Sequence, residues 1–319
     1  MAAGRSGHGE QNERNAVCAV IGHNLRKGVN AVTGPIRSCA MTSTAAPPTA
    51  SNAGPVISLR GATKRFPTKD RSAFTAIRDV DLDVAAGEFV AIVGPTGCGK
   101  STTLGLVSGL EAASRGTVVV HGAPVAGIPD GVGYMFQADA VLPWKNVLDN
   151  VALGLRYRGV SKAEANTRAK EWIARVGLAG FEDRYPHQLS GGMRKRVAMA
   201  QTLITEPSLL LLDEPFGALD VQTRELMQDE LLELWSGTGA AVVFVTHDLT
   251  EAISLADRVV VMTAGPATVK DVVPVDLPRP RRVEEIRLTP EFTDLYRRVW
   301  DSLREEVEIT RARGASDVA

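Results

Sequence analysis

The chain has 319 residues, of which 44% are hydrophobic and 23% charged, proportions that are ordinary for a soluble globular protein with one large α/β domain or two modest ones. Its formal net charge of −1 lacks the basic excess of proteins that act mainly on nucleic acid, so no nucleic-acid partner is expected. The three cysteines form no CxxC pair and no apolar run reaches the ~18 residues of a membrane helix, which argues against a disulfide framework, a zinc site or a membrane span within this chain.

The first 55 residues differ in composition from the rest. They are rich in Gly, Ala, Ser, Thr, Asn and Pro and show no sustained helical or strand period, so residues 1–55 are predicted to form a disordered tail. The short apolar stretch at residues 16–21 fits a signal peptide poorly, whereas an arginine-containing transit peptide stays open as an alternative. The composition change also leaves open that Met41 is the true start.

Regular structure is predicted from Val56 onward. Alternating or densely apolar runs predict strands at residues 56–60, 79–84, 88–93, 117–121, 131–136, 208–212, 241–245 and 258–262. Helical periodicity predicts helices at residues 100–108, within 146–176, from Ser190 to 204, and at 221–235, 249–255 and 290–306. Strands that alternate with helices indicate a parallel sheet with helices on both faces.

The same pattern predicts the domain organisation. Residues 56–275 form the α/β domain, and the strand-free stretch within it predicts an inserted helical subdomain at about residues 138–190. Residues 276–319 are predicted to form a C-terminal helical extension. The arginine-rich run at residues 279–282 is interpreted as solvated surface, and each cysteine as a small apolar residue.

The strongest local pattern is GPTGCGKS at residues 94–101, which matches GxxxxGK[ST] between a predicted strand and a predicted helix. Glycines allow the backbone to wrap around phosphate, and the helix N-terminus adds a partial positive charge. Lys100 would reach the β- and γ-phosphates, and Ser101 would ligate Mg²⁺. By itself this pattern indicates a P-loop NTPase or a kinase.

Two acidic residues end a fully apolar strand at residues 209–214, where α/β folds place their ligands. Asp213 fits the acid that holds Mg²⁺ in a P-loop enzyme. Glu214 is in position to act as the general base that polarises the attacking water.

A second glycine motif, Leu189-Ser190-Gly191-Gly192-Met193, begins another helix and offers a second cradle for phosphate. The motif resembles the signature sequence of ABC ATPases, although Met193 replaces the glutamine that is most common there. The groups that would touch phosphate belong to Ser190, Gly191 and Gly192, so the change to methionine is not expected to impair activity. In this family the second cradle closes the site of a partner subunit.

Further positions match the family in the right order. Gln137 resembles the Q-loop glutamine, residues 217–220 the D-loop that crosses the dimer interface, and His247 the switch histidine that reads the γ-phosphate. Phe66 stands where the family stacks an aromatic ring on adenine, with Phe74 as a nearby competitor.

The resemblance covers about residues 56–274, and it implies a P-loop NTPase core with a mixed, mostly parallel sheet, a small antiparallel β subdomain and the inserted helices. It implies ATP and Mg²⁺ as ligands, with catalytic roles for Lys100, Gln137, Glu214 and His247. Metal ligation is implied for Ser101, Gln137 and Asp213. Nucleotide contacts are implied for Phe66, Gly94, Pro95, Thr96, Gly97, Cys98, Gly99, Lys100, Ser101, Thr102, Ser190, Gly191, Gly192 and Asp220.

The resemblance is strongest to one bacterial importer subgroup, which handles nitrate, sulfonates or taurine, with relatives for bicarbonate or pyrimidine precursors. It implies a second copy of the chain, permease subunits, a solute-binding protein and a peripheral place at the cytoplasmic face of the inner membrane. Trp144 is interpreted either as part of a permease-docking surface or as a core residue of the helical subdomain. The alternatives are a soluble ABC ATPase that acts on ribosomes or DNA, and the ATPase of an exporter.

Overall fold

The structure is a computed structural model that describes residues 54–68, 72–138 and 140–316, with side chains described as far as residue 312. The predicted tail up to residue 53, the alternative start at Met41, and both Cys18 and Cys39 lie outside the described residues. The other cysteine, Cys98, is free and buried, in agreement with its interpretation as a small apolar residue.

Ten strands form two sheets in the described part of the chain. They are β1 (Ile57–Pro67), β2 (Ala73–Val84), β3 (Phe89–Val93), β4 (Arg115–Val120), β5 (Ala123–Pro124), β6 (Val132–Met135), β7 (Leu209–Asp213), β8 (Ala241–Val245), β9 (Arg258–Met262) and β10 (Val269–Pro274). An antiparallel four-stranded sheet has the order β2-β1-β4-β5, and a six-stranded sheet has the order β10-β9-β3-β8-β7-β6. In the larger sheet only the edge strand β10 is antiparallel to its neighbour, so this sheet is mixed and mostly parallel.

The helices are α1 (Lys100–Val107), α2 (Val147–Val151), α3 (Leu153–Tyr157), α4 (Lys162–Arg175), α5 (Gly191–Leu203), α6 (Val221–Trp235), α7 (Leu249–Leu255), α8 (Val283–Ile286) and α9 (Pro290–Ser316). The side chain of Asn146 caps α2 and that of Ser161 caps α4, by accepting hydrogen bonds from Asp149 N and Glu164 N. No helix within the described residues combines the length and the apolar character of a membrane span.

The central strands β3, β7 and β8 are buried along their whole length, because apolar layers cover both faces of the larger sheet. One layer contains α1 and the antiparallel sheet, with Ile57, Leu59 and Leu104 in its core. The other contains α5, α6 and α7, and it continues into α2 and α4. The parallel register pairs Ile92 with Val245, so the carboxyl ends of β3 and β8 lie side by side.

Some elements differ from their predicted extent. The strands β1 and β2 are each longer than predicted, because alternating side chains continue into an exposed ribbon where Phe66 pairs with Phe74. The edge strand β10 was not predicted. Its residues are mostly half-buried or exposed, so its sequence lacks the dense apolar run of a central strand.

The interpretation of residues 279–282 as solvated surface is wrong for one of the arginines. Arg281 is 6% exposed, and its guanidinium donates to the carbonyl oxygens of Ala256 at 2.6 Å and Leu277 at 2.9 Å. Arg279 is exposed as predicted, although it lies 2.7 Å from Asp257 and stacks over the ring of Trp235. The physical reason is that free carbonyls at the end of α7 provide partners for a buried cation.

Candidate active site

The phosphate-binding loop, residues 94–101, connects β3 to α1 and requires glycine at Gly99. The φ angle of Gly99 is 129°, a conformation that side chains rarely allow. A Cβ atom at this position would lie 2.6 Å from Ile77 Cγ2 and 2.9 Å from Ala76 O. Glycine therefore allows the loop to approach β2 closely.

Lys100 lies inside this loop. It is 5% exposed, and its Nζ donates to Gly94 O at 2.9 Å and to Pro95 O at 3.0 Å. Thr96 and Gly97 form the exposed tip of the loop. The loop thus keeps its ammonium group close to the backbone that would surround a phosphate.

The acid at the end of β7 faces the hydroxyl at the start of α1. Ser101 Oγ donates to Asp213 Oδ1 at 3.0 Å, and Tyr134 Oη lies 3.4 Å from Asp213 Oδ2. Burial raises the pKa of Asp213 to about 6, although the hydrogen bond from Ser101 opposes this rise. A hydroxyl and a carboxylate oxygen at this distance are the type of ligand that Mg²⁺ prefers.

The next residue, Glu214, has a positive φ angle of 43°, which is uncommon outside glycine. Its carboxylate meets two other predicted site residues. Gln137 Nε2 donates to Glu214 Oε2 at 3.1 Å, and His247 Nδ1 lies 3.2 Å from the same oxygen. The strained backbone turns this carboxylate away from the strand and into a group of polar side chains, as functional sites often do.

One pocket brings most of the predicted site residues together. Its lining contains Phe66, Phe74, Ala76, Thr96, Gly97, Gly99, Lys100, Ser101, Thr102, Gln137, Glu214 and His247. Gly94, Pro95, Cys98 and Asp213 do not line this pocket and are buried. Aromatic, cationic and anionic groups thus surround one space, which suits an aromatic base that carries phosphates.

The second glycine motif lies outside this pocket. Ser190 Oγ accepts a hydrogen bond from Met193 N at 3.3 Å and caps α5, while Ser190 and Gly191 are exposed. Gly192 packs beside Thr223, whose amide donates to Asp220 Oδ1 at 3.0 Å. The exposed motif and Asp220 therefore form a second polar region near the start of α6.

Comparisons with known proteins agree with this geometry. A family model described as ABC transporter matches residues 77–217. An uncharacterized ABC transporter ATP-binding protein of Methanocaldococcus jannaschii is 45% identical over 232 residues, which are 73% of this chain and 85% of the relative. The taurine import ATP-binding protein TauB of Pseudomonas aeruginosa is 43% identical over 240 residues, which are 74% of this chain and 91% of the relative. The chain belongs to the ABC transporter family.

Solved ABC cassettes have the same fold. A dimeric structure of a bacterial ABC transporter cassette matches with a TM-score of 0.63 at 31% identity, and covers 70% of this chain and 100% of its own. A dimeric post-hydrolysis state of an ATP-binding cassette, bound to ADP and phosphate, matches with a TM-score of 0.62 at 30% identity. This ABC subunit is therefore an ATP-binding ATPase, and the predicted P-loop fold with an antiparallel subdomain and inserted helices is confirmed.

The ABC cassette also contains a site residue that the sequence analysis did not single out. Tyr134 reaches Asp213 from β6, the strand that pairs directly with β7. Its place in the predicted strand before Gln137 could have identified it. The two aromatic candidates Phe66 and Phe74 both line the pocket, so neither excludes the other. Trp144 is 71% exposed, and its interpretation as a core residue is wrong.

Proposed function

We propose that this chain is the ATP-hydrolysing subunit of an ABC importer for a small solute of the nitrate, sulfonate or taurine class. The observation that carries the proposal is the pocket in which Lys100, Gln137, Glu214 and His247 converge beside a glycine-rich loop. The resemblance to TauB, a protein named for taurine import, supports the importer class.

Two copies of the chain would act together around two ATP molecules. Each copy carries the pocket and, outside it, the exposed motif of Ser190, Gly191 and Gly192. A motif that offers amides at a helix N-terminus suits phosphate, so it would close the pocket of the other copy. The dimeric state of similar solved cassettes supports this arrangement.

Mg²⁺ fits the oxygen ligands of Ser101 and Asp213, with the amide of Gln137 nearby, and would supply charge neutralisation at the phosphates. Glu214 would accept a proton from the attacking water, and Lys100 would neutralise phosphate charge. His247 and Gln137 both touch Glu214 and would hold its carboxylate in position. Most of the rate enhancement would come from positioning and charge neutralisation.

A permease would dock beside Gln137. A groove next to this residue is lined by Tyr134, Phe136, Leu153 and Tyr157, among others, and lies between the sheet and the inserted helices. Trp144 is an exposed aromatic residue of the same part of the chain, and such residues often anchor interfaces. The chain would thus lie at the cytoplasmic face of the membrane, and a solute-binding protein would reach the complex through the permease.

The ATP-binding part of the proposal is tested with purified protein. Glu214→Gln should bind ATP, hydrolyse it very slowly and accumulate as a dimer with ATP, measured by light scattering during gel filtration. Lys100→Ala should weaken ATP binding, measured by calorimetry. Near-normal turnover of Glu214→Gln would remove Glu214 as the base, and unchanged affinity of Lys100→Ala would contradict the phosphate-binding loop.

The transport part is tested by a tagged pull-down from native membranes solubilised in detergent, with partners identified by mass spectrometry. Co-purification of a polytopic permease, together with a solute-binding protein, is expected. Ribosomal proteins or DNA-repair factors without a permease would instead identify a soluble ABC ATPase. The ATP site would then keep its chemistry, and the importer function would be rejected.

A further inference from the structure

The side chain of Arg224, in the first turn of α6, touches two loops at once. Its Nη2 donates to the carbonyl oxygen of Leu219 at 2.9 Å, within the loop of residues 217–220. Its Nη1 lies 3.5 Å from Oδ2 of Asp248, the residue directly after His247. One guanidinium therefore joins the loop before α6 to the loop after β8.

A buried carboxylate lies next to this contact. Glu251 is 3% exposed, and its Oε2 accepts a hydrogen bond from Thr246 Oγ1 at 2.5 Å. Its Oε1 accepts a hydrogen bond from Gln228 Nε2 at 3.2 Å and lies 3.8 Å from Arg224 Nε. Burial raises the pKa of Glu251, while the Thr246 hydrogen bond and the charge of Arg224 oppose the rise. The charge of Arg224 thus favours the ionised form of the carboxylate that accepts the Thr246 hydrogen bond.

The hydrogen bonds of Thr246 restrict the backbone around His247. The hydroxyl that donates to Glu251 also accepts a hydrogen bond from Asp248 N at 3.0 Å, so it fixes the backbone on both sides of His247. The His247 side chain is 59% exposed, and packing alone does not fix it. Its 3.2 Å approach to Glu214 therefore depends on how firmly the loop is held.

We propose that Arg224 is a positioning residue for ATP hydrolysis: it ties two loops together and thereby holds His247 beside Glu214. The same guanidinium donates to Leu219, in a loop (residues 217–220) whose other three residues are exposed. A displacement of that loop is therefore transmitted to His247. The inference rests on the proposed roles of His247 and Glu214.

Two substitutions separate positioning from simple stabilisation. Arg224→Ala removes both loop contacts. Arg224→Lys keeps a positive charge near Glu251, but a single ammonium cannot reproduce the forked binding of a guanidinium. For both variants we expect the kcat of ATP hydrolysis to fall about tenfold or more, since small misplacements of a catalytic group have large effects. The KM for ATP should stay within about twofold, because Arg224 does not line the pocket.

Arg287→Ala is the matched control. Arg287, which follows α8, forms an ion pair with Glu225 of α6, the helix that also carries Arg224. Its side chain is 25% exposed, compared with 26% for that of Arg224. This variant should keep the wild-type kcat, even if its unfolding midpoint falls as far as that of the Arg224 variants. If Arg287→Ala lost as much kcat as the Arg224 variants, general destabilisation would explain the effect of Arg224, and the inference would be overturned.

A double-mutant cycle tests whether Arg224 acts through His247. We expect Arg224→Lys to have little further effect in a His247→Ala background, because the histidine to be positioned is gone. Equal additional losses in both backgrounds would overturn the inference, as would an unchanged kcat of the single Arg224 variants. A wild-type rate for His247→Ala would instead contradict the proposed function of the site itself, so the two failures are distinguishable.

Discussion

Arg281→Met removes a buried cation from the end of α7 and keeps most of its apolar volume. The guanidinium of Arg281 donates to the carbonyl oxygens of Ala256 at 2.6 Å, Leu277 at 2.9 Å and Val275 at 3.2 Å. These groups belong to the end of α7 and to the segment after β10. The arginine therefore ties the end of α7 to the segment that follows β10.

The expected cost follows from two opposing contributions. Hydrogen bonds to a charged group stabilise by about 1.5–3 kcal/mol each, so three of them contribute roughly 6 kcal/mol. Burial lowers the pKa of Arg281 to about 10. That change corresponds to about 3 kcal/mol, from lost hydration and from repulsion by Arg279, which offsets part of the gain. Arg281→Met should therefore lower the free energy of unfolding by about 3 kcal/mol.

The assay is urea unfolding followed by circular dichroism, with Arg282→Met as the matched control. The side chain of Arg282 is 78% exposed, and its nearest carboxylate, on Glu285, lies 4.0 Å away. The control should change the free energy of unfolding by less than about 0.5 kcal/mol. Equal changes in the two variants would refute the reasoning, because burial and carbonyl binding are what distinguish the two arginines.

Three further outcomes follow from the site. Since the pKa of Asp213 is raised to about 6, its carboxylate becomes protonated as the pH falls through 6. The Mg²⁺ concentration needed for half-maximal ATP hydrolysis should therefore rise about tenfold from pH 7 to pH 5. Asp213→Asn, which lacks this carboxylate, should show a smaller rise over the same pH range. Gly99→Ala should weaken nucleotide binding, measured with a fluorescent ATP analogue, by at least about tenfold, because its Cβ would clash with Ile77. Gly97→Ala is the control for backbone strain alone: its φ of 75° also disfavours alanine, but its Cβ would have no described atom within 4 Å, so it should lose less. Trp144→Ala should leave unfolding and basal ATP hydrolysis unchanged, because the residue is exposed, but reduce solute uptake in cells.

The parts of the site that could be predicted from the sequence are short motifs of consecutive residues at the ends of apolar strands. The glycine-rich loop, Asp213 and His247 each follow an apolar strand, and the parallel register brings the ends of β3, β7 and β8 together. Local pattern and sheet geometry were sufficient there, because one strand fixes the position of the residues that follow it. Gln137 and Glu214 follow the neighbouring strands β6 and β7, so their contact could likewise be expected.

Residues whose role depends on distant partners could not be predicted in this way. Arg281 and Arg282 are adjacent and chemically identical, yet one is buried and the other exposed. Arg224 looks like an ordinary helical surface residue until α6 is packed against the loop after β8. A charged side chain is buried only where the fold places carbonyl or carboxylate oxygens beside it. Those partners are distant in the chain, so a local sequence pattern does not identify them.

The glycine-rich loop and the Ser190 motif, both proposed to bind phosphate, are held by different kinds of structure. The glycine-rich loop and Glu214 follow central strands of one sheet, so their relative positions are set by the backbone hydrogen bonds of β3, β8 and β7. The motif at Ser190 begins α5, which packs with the inserted helices and reaches the pocket through a hydrogen bond from Lys195 Nζ to Gln137 O at 2.8 Å. Packed helices can shift by small amounts more readily than paired central strands. The pocket of one copy is therefore preformed, whereas the proposed placement of the Ser190 motif against a second copy would depend on the helices and on the loop that carries Gln137.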